Sequence, residues 1–125
     1  MIRKKILAVD DNSISLATIE QVLKEKYDVM PLNSGVRALQ YLKKGNRPAL
    51  ILLDVRMAAK DGIETLREIR EMESCRNIPV IMLSSQNDKQ TVLESLVLGA
   101  DSYILKPFNR QDLYDRIESV LHKGR

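Results

Sequence analysis

The chain has 125 residues, 44% of them hydrophobic and 30% charged, with a formal net charge of +3. That length and balance fit one globular domain with its own core and exclude a disordered or fibrous chain. No apolar run reaches the roughly 18 residues that a membrane span needs, and the single cysteine, Cys75, cannot form an internal disulfide, so the expected compartment is the cytoplasm.

Apolar runs of four or five residues alternate with helix-period segments, a pattern that predicts repeated βα units and a parallel sheet. The basic start, Met1-Ile2-Arg3-Lys4-Lys5, is followed by too short an apolar stretch for a signal peptide. The first strand is predicted over Lys4 to Val9, and the first helix over Ser13 to Lys24 with Leu16, Ile19 and Leu23 on one face. A weaker second strand runs from about Tyr27 to Pro31, where proline suits a sheet edge because it lacks a ladder donor. The next helix carries Val36, Leu39 and Leu42 and stops at Lys43-Lys44-Gly45-Asn46.

The third strand, Ala49 to Leu53, is apolar throughout, as expected of a strand covered on both faces. Its helix shows Ile63, Leu66, Ile69 and Met72. The fourth strand follows Pro79, and the helix after it shows Leu93, Leu96, Val97 and Ala100, interrupted by Gly99 as its C-cap. The fifth strand is Ser102 to Leu105. The last helix, about Asn109 to His122, presents Leu113, Ile117, Val120 and Leu121. No linker or repeat interrupts residues 1–125, which read as a single domain of five strands and five helices.

Four strands end in chemistry-bearing residues: Asp10-Asp11, Asp54, Ser84-Ser85 and Lys106-Pro107. Open α/β sheets place their sites outside the carboxyl ends of the strands. Asp10 and Asp11, with Asn12 and Ser13, could simply cap a helix, and Asp54 could close a turn. Together, however, two such charges about 4 Å apart repel by roughly 4 kcal/mol at an effective dielectric near 20. Crowded carboxylates raise a pKa, pair with a cation or bind metal, and oxygen ligands suit Mg²⁺. Lys106 supplies a positive charge, extended by the proline that follows; sequence leaves the isomer of the Lys106-Pro107 bond open. Ser84 could donate to an incoming anion. An aspartate can act as nucleophile and form an aspartyl-phosphate, and phosphoryl transfer depends mostly on positioning and charge neutralisation. The only histidine, His122, reads as a solvated helix end.

The Lys and Arg residues are dispersed along the chain, among them Arg3, Lys24, Lys43, Arg67, Arg70, Arg110 and Arg116. With few aromatics and no recognition-helix motif, no direct nucleic-acid binding is expected.

The chain resembles a response-regulator receiver domain along its full length. The matching pieces are Val9-Asp10-Asp11-Asn12, Leu53-Asp54-Val55-Arg56-Met57, Asp61-Gly62, Met82-Leu83-Ser84-Ser85, Gly99-Ala100-Asp101-Ser102-Tyr103 and Leu105-Lys106-Pro107-Phe108. The resemblance implies a doubly wound, flavodoxin-like sheet in the order 2-1-3-4-5. It also implies that Asp54 accepts phosphate from the phosphohistidine of a sensor kinase or phosphotransfer protein. Asp11, Asp54 and the Arg56 backbone carbonyl would hold Mg²⁺ directly, with Asp10 acting through water. Ser84 would be the switch hydroxyl, Lys106 the phosphoryl-binding lysine and Tyr103 the aromatic that reports activation. The output surface would span roughly Asp88 to Leu121, acting on a target protein, an output domain or a second copy of the chain.

Two positions depart from the family pattern: Ala58-Ala59-Lys60 replaces a usual proline after Met57, and Arg56 puts a long cation two residues beyond Asp54. A haloacid-dehalogenase-like phosphatase would need a second aspartate where Arg56 stands. A flavodoxin-like flavin module would not present Asp10-Asp11 to a phosphate. A pseudo-receiver that only binds partners is at odds with an intact set of acidic and basic site residues.

Overall fold

In the computed structural model, residues 2–57, 60–85 and 89–122 are described; Met1, Ala58, Ala59 and Asp88 lie outside them. The element order is β1 (Lys5–Val9), α1 (Ser13–Leu23), β2 (Asp28–Leu32), α2 (Gly35–Lys43), β3 (Leu50–Asp54), α3 (Gly62–Glu71), β4 (Val80–Ser84), α4 (Lys89–Val97), β5 (Ser102–Leu105) and α5 (Arg110–His122). A short 3-10 turn, Glu73–Cys75, follows α3; it is too brief to carry a periodic signal in the sequence. All strand pairs are parallel, in the order β2-β1-β3-β4-β5. Pro31 therefore lies on an edge strand, where its missing N–H costs no ladder bond.

Side-chain alternation divides the core between the two faces of the sheet. Leu7, Val9, Ile51, Leu53, Val80 and Met82 pack with Ala38, Leu39 and Leu42 of α2 and Leu66 and Ile69 of α3. The alternate residues Ile6, Ala8, Leu50, Leu52, Ile81 and Leu83 pack with Ile19 and Leu23 of α1 and Leu113 and Ile117 of α5. β3 is central and buried along its whole length, so the residue that ends it is held rigidly.

Of the four apolar residues that the sequence shows in and after α4, Ala100 is buried but the other three do not face the core. Leu93, Leu96 and Val97 are exposed, Val97 by 88%, and the buried α4 residues are Val92 and Ser95. The stripe at 93, 96 and 97 has the same period as a core stripe, and period alone does not say which side meets the sheet. Small Ser95 can turn inward because its hydroxyl donates to the Val92 carbonyl at 2.6 Å. In α2, likewise, Val36 is exposed while Ala38, Leu39 and Leu42 are buried. Gly99 does end its helix segment with positive φ (105°).

Candidate functional site

Parallel pairing brings the ends of β1, β3, β4 and β5 to one edge. Asp54 stands opposite Leu83 and Ser84 opposite Leu105, and the Lys106 N–H donates to the Ser84 carbonyl at 2.7 Å. The next peptide bond, Lys106-Pro107, is cis.

Asp10 is fully buried. Its Oδ1 accepts the Asn12 N–H at 3.0 Å, and its Oδ2 accepts from Lys106 Nζ at 2.8 Å. The cap of α1 is Asn12, whose Oδ1 accepts the Ser15 N–H at 2.9 Å, which leaves Asp10 and Asp11 out of the helix-capping role. Asp11 is exposed beside them. Lys106 Nζ also reaches Asp54 Oδ1 at 3.1 Å. One carboxylate oxygen from each of Asp10, Asp11 and Asp54 lies within 4.8 Å of the others.

Three carboxylates crowd together here, and the Lys106 ammonium is shared between two of them, Asp10 and Asp54. Burial, and then the Asp10 charge, push the Asp54 carboxyl up to about 6 from 3.8, against the opposing pull of Lys106. Burial alone would lower the Lys106 ammonium, but its bond to Asp10 and the charge of Asp54 outweigh this and raise it. A hard divalent cation would relieve the repulsion, and the all-oxygen donor set, two buried and one open to water, fits Mg²⁺.

Ser84 is 1% exposed, and its Oγ has no hydrogen-bond partner among the described residues. An orphaned buried hydroxyl is costly, and this one ends the strand beside Asp54, where an anion on that carboxylate could accept from it. Arg56 is exposed and lines a pocket beside the site with Val55, Met57, Asp61 and Thr91. Tyr103 is 36% exposed on β5, outside the acidic cluster.

Gly62 and Asp61 position the acceptor. A Cβ at Gly62 would stand 2.2 Å from the Asp54 carbonyl oxygen, so a side chain there would push on the acceptor's backbone. The Gly62 N–H donates to the Val55 carbonyl at 2.9 Å, and Asp61 closes a capping box with Glu64 at the start of α3. The Asp61-Gly62-Ile63-Glu64 spacing carried that capping signal, which the sequence reading left unused.

The profile of the response regulator receiver domain matches residues 6–118. The chain is 39% identical over 121 residues to the "Transcriptional regulatory protein CpxR homolog" of Haemophilus influenzae, covering 96% of this chain and 51% of that protein. It spans about half the length of the first curated relatives it matches. Among solved structures it is similar to a putative response regulator from Chloroflexus aurantiacus (TM-score 0.91, 30% identity, 97% of this chain and 99% of that one). It is also similar to the receiver domain of the Pseudomonas aeruginosa sensor histidine kinase PA1611, which has a magnesium ion coordinated in its active-site cleft. That match has a TM-score of 0.86 and 30% identity over 95% of this chain and 98% of that one.

Proposed function

Since this chain belongs to the response regulator receiver family of two-component signalling, we propose that Asp54 is its phosphoacceptor, served by Asp10, Asp11, Ser84 and Lys106. The observation that carries the assignment is the pairing of Asp54 Oδ1 with Lys106 Nζ at 3.1 Å, next to a buried Ser84 Oγ that lacks a partner.

Asp11, Asp54 and the Arg56 backbone carbonyl would hold Mg²⁺, with Asp10 acting through a bound water; the ion would neutralise charge on the phosphoryl oxygens. An Asp54 carboxylate oxygen attacks phosphorus as the phosphorus–nitrogen bond to the donor imidazole breaks, and the electron pair leaves with the imidazole. Lys106 gives its ammonium to a phosphoryl oxygen while keeping Asp10 paired. Ser84 Oγ donates to another phosphoryl oxygen and so gains the partner it lacks. Ionised Asp54 is the reactive form, and a bound cation would relieve the crowding that raises its carboxyl.

The signalling chemistry is confined to the domain's own phosphorylation and slow dephosphorylation, and the cytoplasm is its setting. Its donor is a sensor histidine kinase or phosphotransfer protein. The target surface is α4, β5 and α5, where Leu93, Leu96, Val97, Tyr103 and Leu105 are exposed. Pulling Ser84 onto the phosphoryl group opens space that Tyr103 fills, which reshapes this face for a target protein, an output domain or a second copy of the chain.

Intact-mass measurement with acetyl phosphate and Mg²⁺ tests the acceptor. One added phosphate is expected on the wild type and none on Asp54→Ala; equal labelling of the variant removes Asp54 from the role.

A further inference from the structure

Arg116 extends from α5 towards β5. Its guanidinium carbon lies 5.8 Å from the centroid of the Tyr103 ring, and Nη1 donates to Ser102 Oγ at 3.2 Å. Asp112 and Asp115 line the same groove, yet among the described residues no carboxylate pairs with Arg116. Asp115 instead accepts from Gln111 Nε2 at 2.7 Å. The guanidinium is thus committed to two consecutive β5 residues: a mostly buried hydroxyl that fixes its position and a ring held half out of the surface. A cation over an aromatic face is attracted by the ring quadrupole.

We propose that Arg116 is a positioning residue that holds Tyr103 outward and so sets the threshold for switching. The inference rests on Tyr103 being the switch aromatic proposed above. The contact exists in the outward state and is given up when the ring turns in, which makes it the differential interaction that a population shift requires. An exposed cation–π contact biases two states by about two- to fivefold. Ligand affinity falls with the fraction of competent protein. Arg116 therefore weakens the apparent affinity for any phosphoryl group that needs the inward ring by about the same factor.

Two measurements on the 125-residue chain test this. In the metal-free, unphosphorylated protein, side-chain couplings of Tyr103 should show a lower outward population in Arg116→Gln, which keeps a donor for Ser102 but no charge. Arg116→Lys should restore part of it. With Mg²⁺ present, calorimetric titration with beryllofluoride should give a two- to fivefold tighter apparent Kd in Arg116→Gln, and no such gain when Tyr103→Leu is already in place. An unchanged rotamer population overturns the latch, and so does the same gain in the Tyr103→Leu background. A wild type that takes up no beryllofluoride defeats the phosphoacceptor reading alone, because the rotamer measurement still decides the latch.

Discussion

Lys106 Nζ stands 3.1 Å from Asp54 Oδ1, yet the Asp54 carboxyl is still raised to about 6. One ammonium shared with Asp10 does not offset burial together with the neighbouring carboxylate charge.

A pH dependence of known sign follows. The folded value, about 6, exceeds the ordinary 3.8, so between these values the native state binds more protons than the unfolded one. Stability from this group is fully present below the unfolded value and is lost as pH rises through about 6. The difference corresponds to at most about 3 kcal/mol. In metal-free buffer, wild-type stability relative to Asp54→Asn should therefore fall between about pH 4 and pH 7. Urea unfolding at each pH measures it, and a rising difference would reverse the electrostatic account of the site.

Mg²⁺ should raise the melting temperature, since an ion that binds only the native state stabilises it by about 2.7 kcal/mol at a hundred times its Kd. Asp11 is the exposed member of the carboxylate cluster, so Asp11→Ala removes the proposed ligand that is most open to solvent. Melts with Mg²⁺ and with chelator should show most of the shift gone in the variant. A shift of wild-type size would exclude Asp11 as a ligand.

Every strand was legible in the sequence because β1, β3 and β4 are apolar runs bounded by chemistry-bearing residues, whereas the strand order came from the family resemblance and not from any pattern in the residues. The side of α4 that faces the sheet was not legible. Leu93, Leu96 and Val97 look like a core stripe until Ser95 is seen to be buried with its hydroxyl bonded to its own helix. The role of Arg70 was also hidden, since it read as one dispersed cation among many. Folding sends its guanidinium to the carbonyls of Gly99 (2.8 Å) and Ile78 (2.8 Å) and to Asp101 Oδ2 (3.3 Å), contacts that span up to 31 residues of chain and leave no local pattern. Asp10 was legible as charged and crowded, but its complete burial was not.

That burial changes what a Lys106 substitution should do. Lys106→Ala leaves the Asp10 carboxylate, 0% exposed, with the Asn12 N–H as its one remaining hydrogen-bond donor among the described residues. Removing one member of a buried pair costs about 3 to 5 kcal/mol; Lys106 is itself partly exposed, so the lower end is expected. Ser84→Ala removes a buried hydroxyl that has no partner among the described residues and should leave stability unchanged or slightly raised. Chemical denaturation should separate the two variants, and both should show a diminished spectral response to beryllofluoride. A full response in both would place the switch elsewhere.

Arg70 ties α3 to the turn after α4. Burial lowers its guanidinium, against the pull of Asp101, and its hydrogen bonds to carbonyls compensate for the lost water. Arg70→Ala should cost about 2 to 4 kcal/mol, because several carbonyls lose their donor at once. Gly99→Ala should cost about 1 to 3 kcal/mol: its φ is +105° and the new Cβ would stand 3.1 Å from Arg70 Nε. Denaturant midpoints test both, and neutrality of Arg70→Ala would show the clamp to be dispensable.

Phosphorylation should perturb one side of the molecule more than the other. The two proposed phosphoryl sensors, Ser84 and Lys106, bracket α4 and β5, and the N–H of Lys106 is bonded to the carbonyl of Ser84. A shift of Ser84 therefore reaches β5 through the backbone as well as through the space beside Tyr103. α4 is poorly anchored, with only Val92 and Ser95 buried, and weakly packed elements move most readily. By contrast, α1 is pinned on the other flank: Tyr114 Oη donates to the Val22 carbonyl at 2.5 Å, and Tyr114 stacks on Tyr27 with centroids 6.2 Å apart. Amide shifts on adding beryllofluoride should thus be larger over residues 89–105 than over α1 and β2, apart from the loops at the site. Equal shifts on both flanks would replace a local switch with a change of the whole domain.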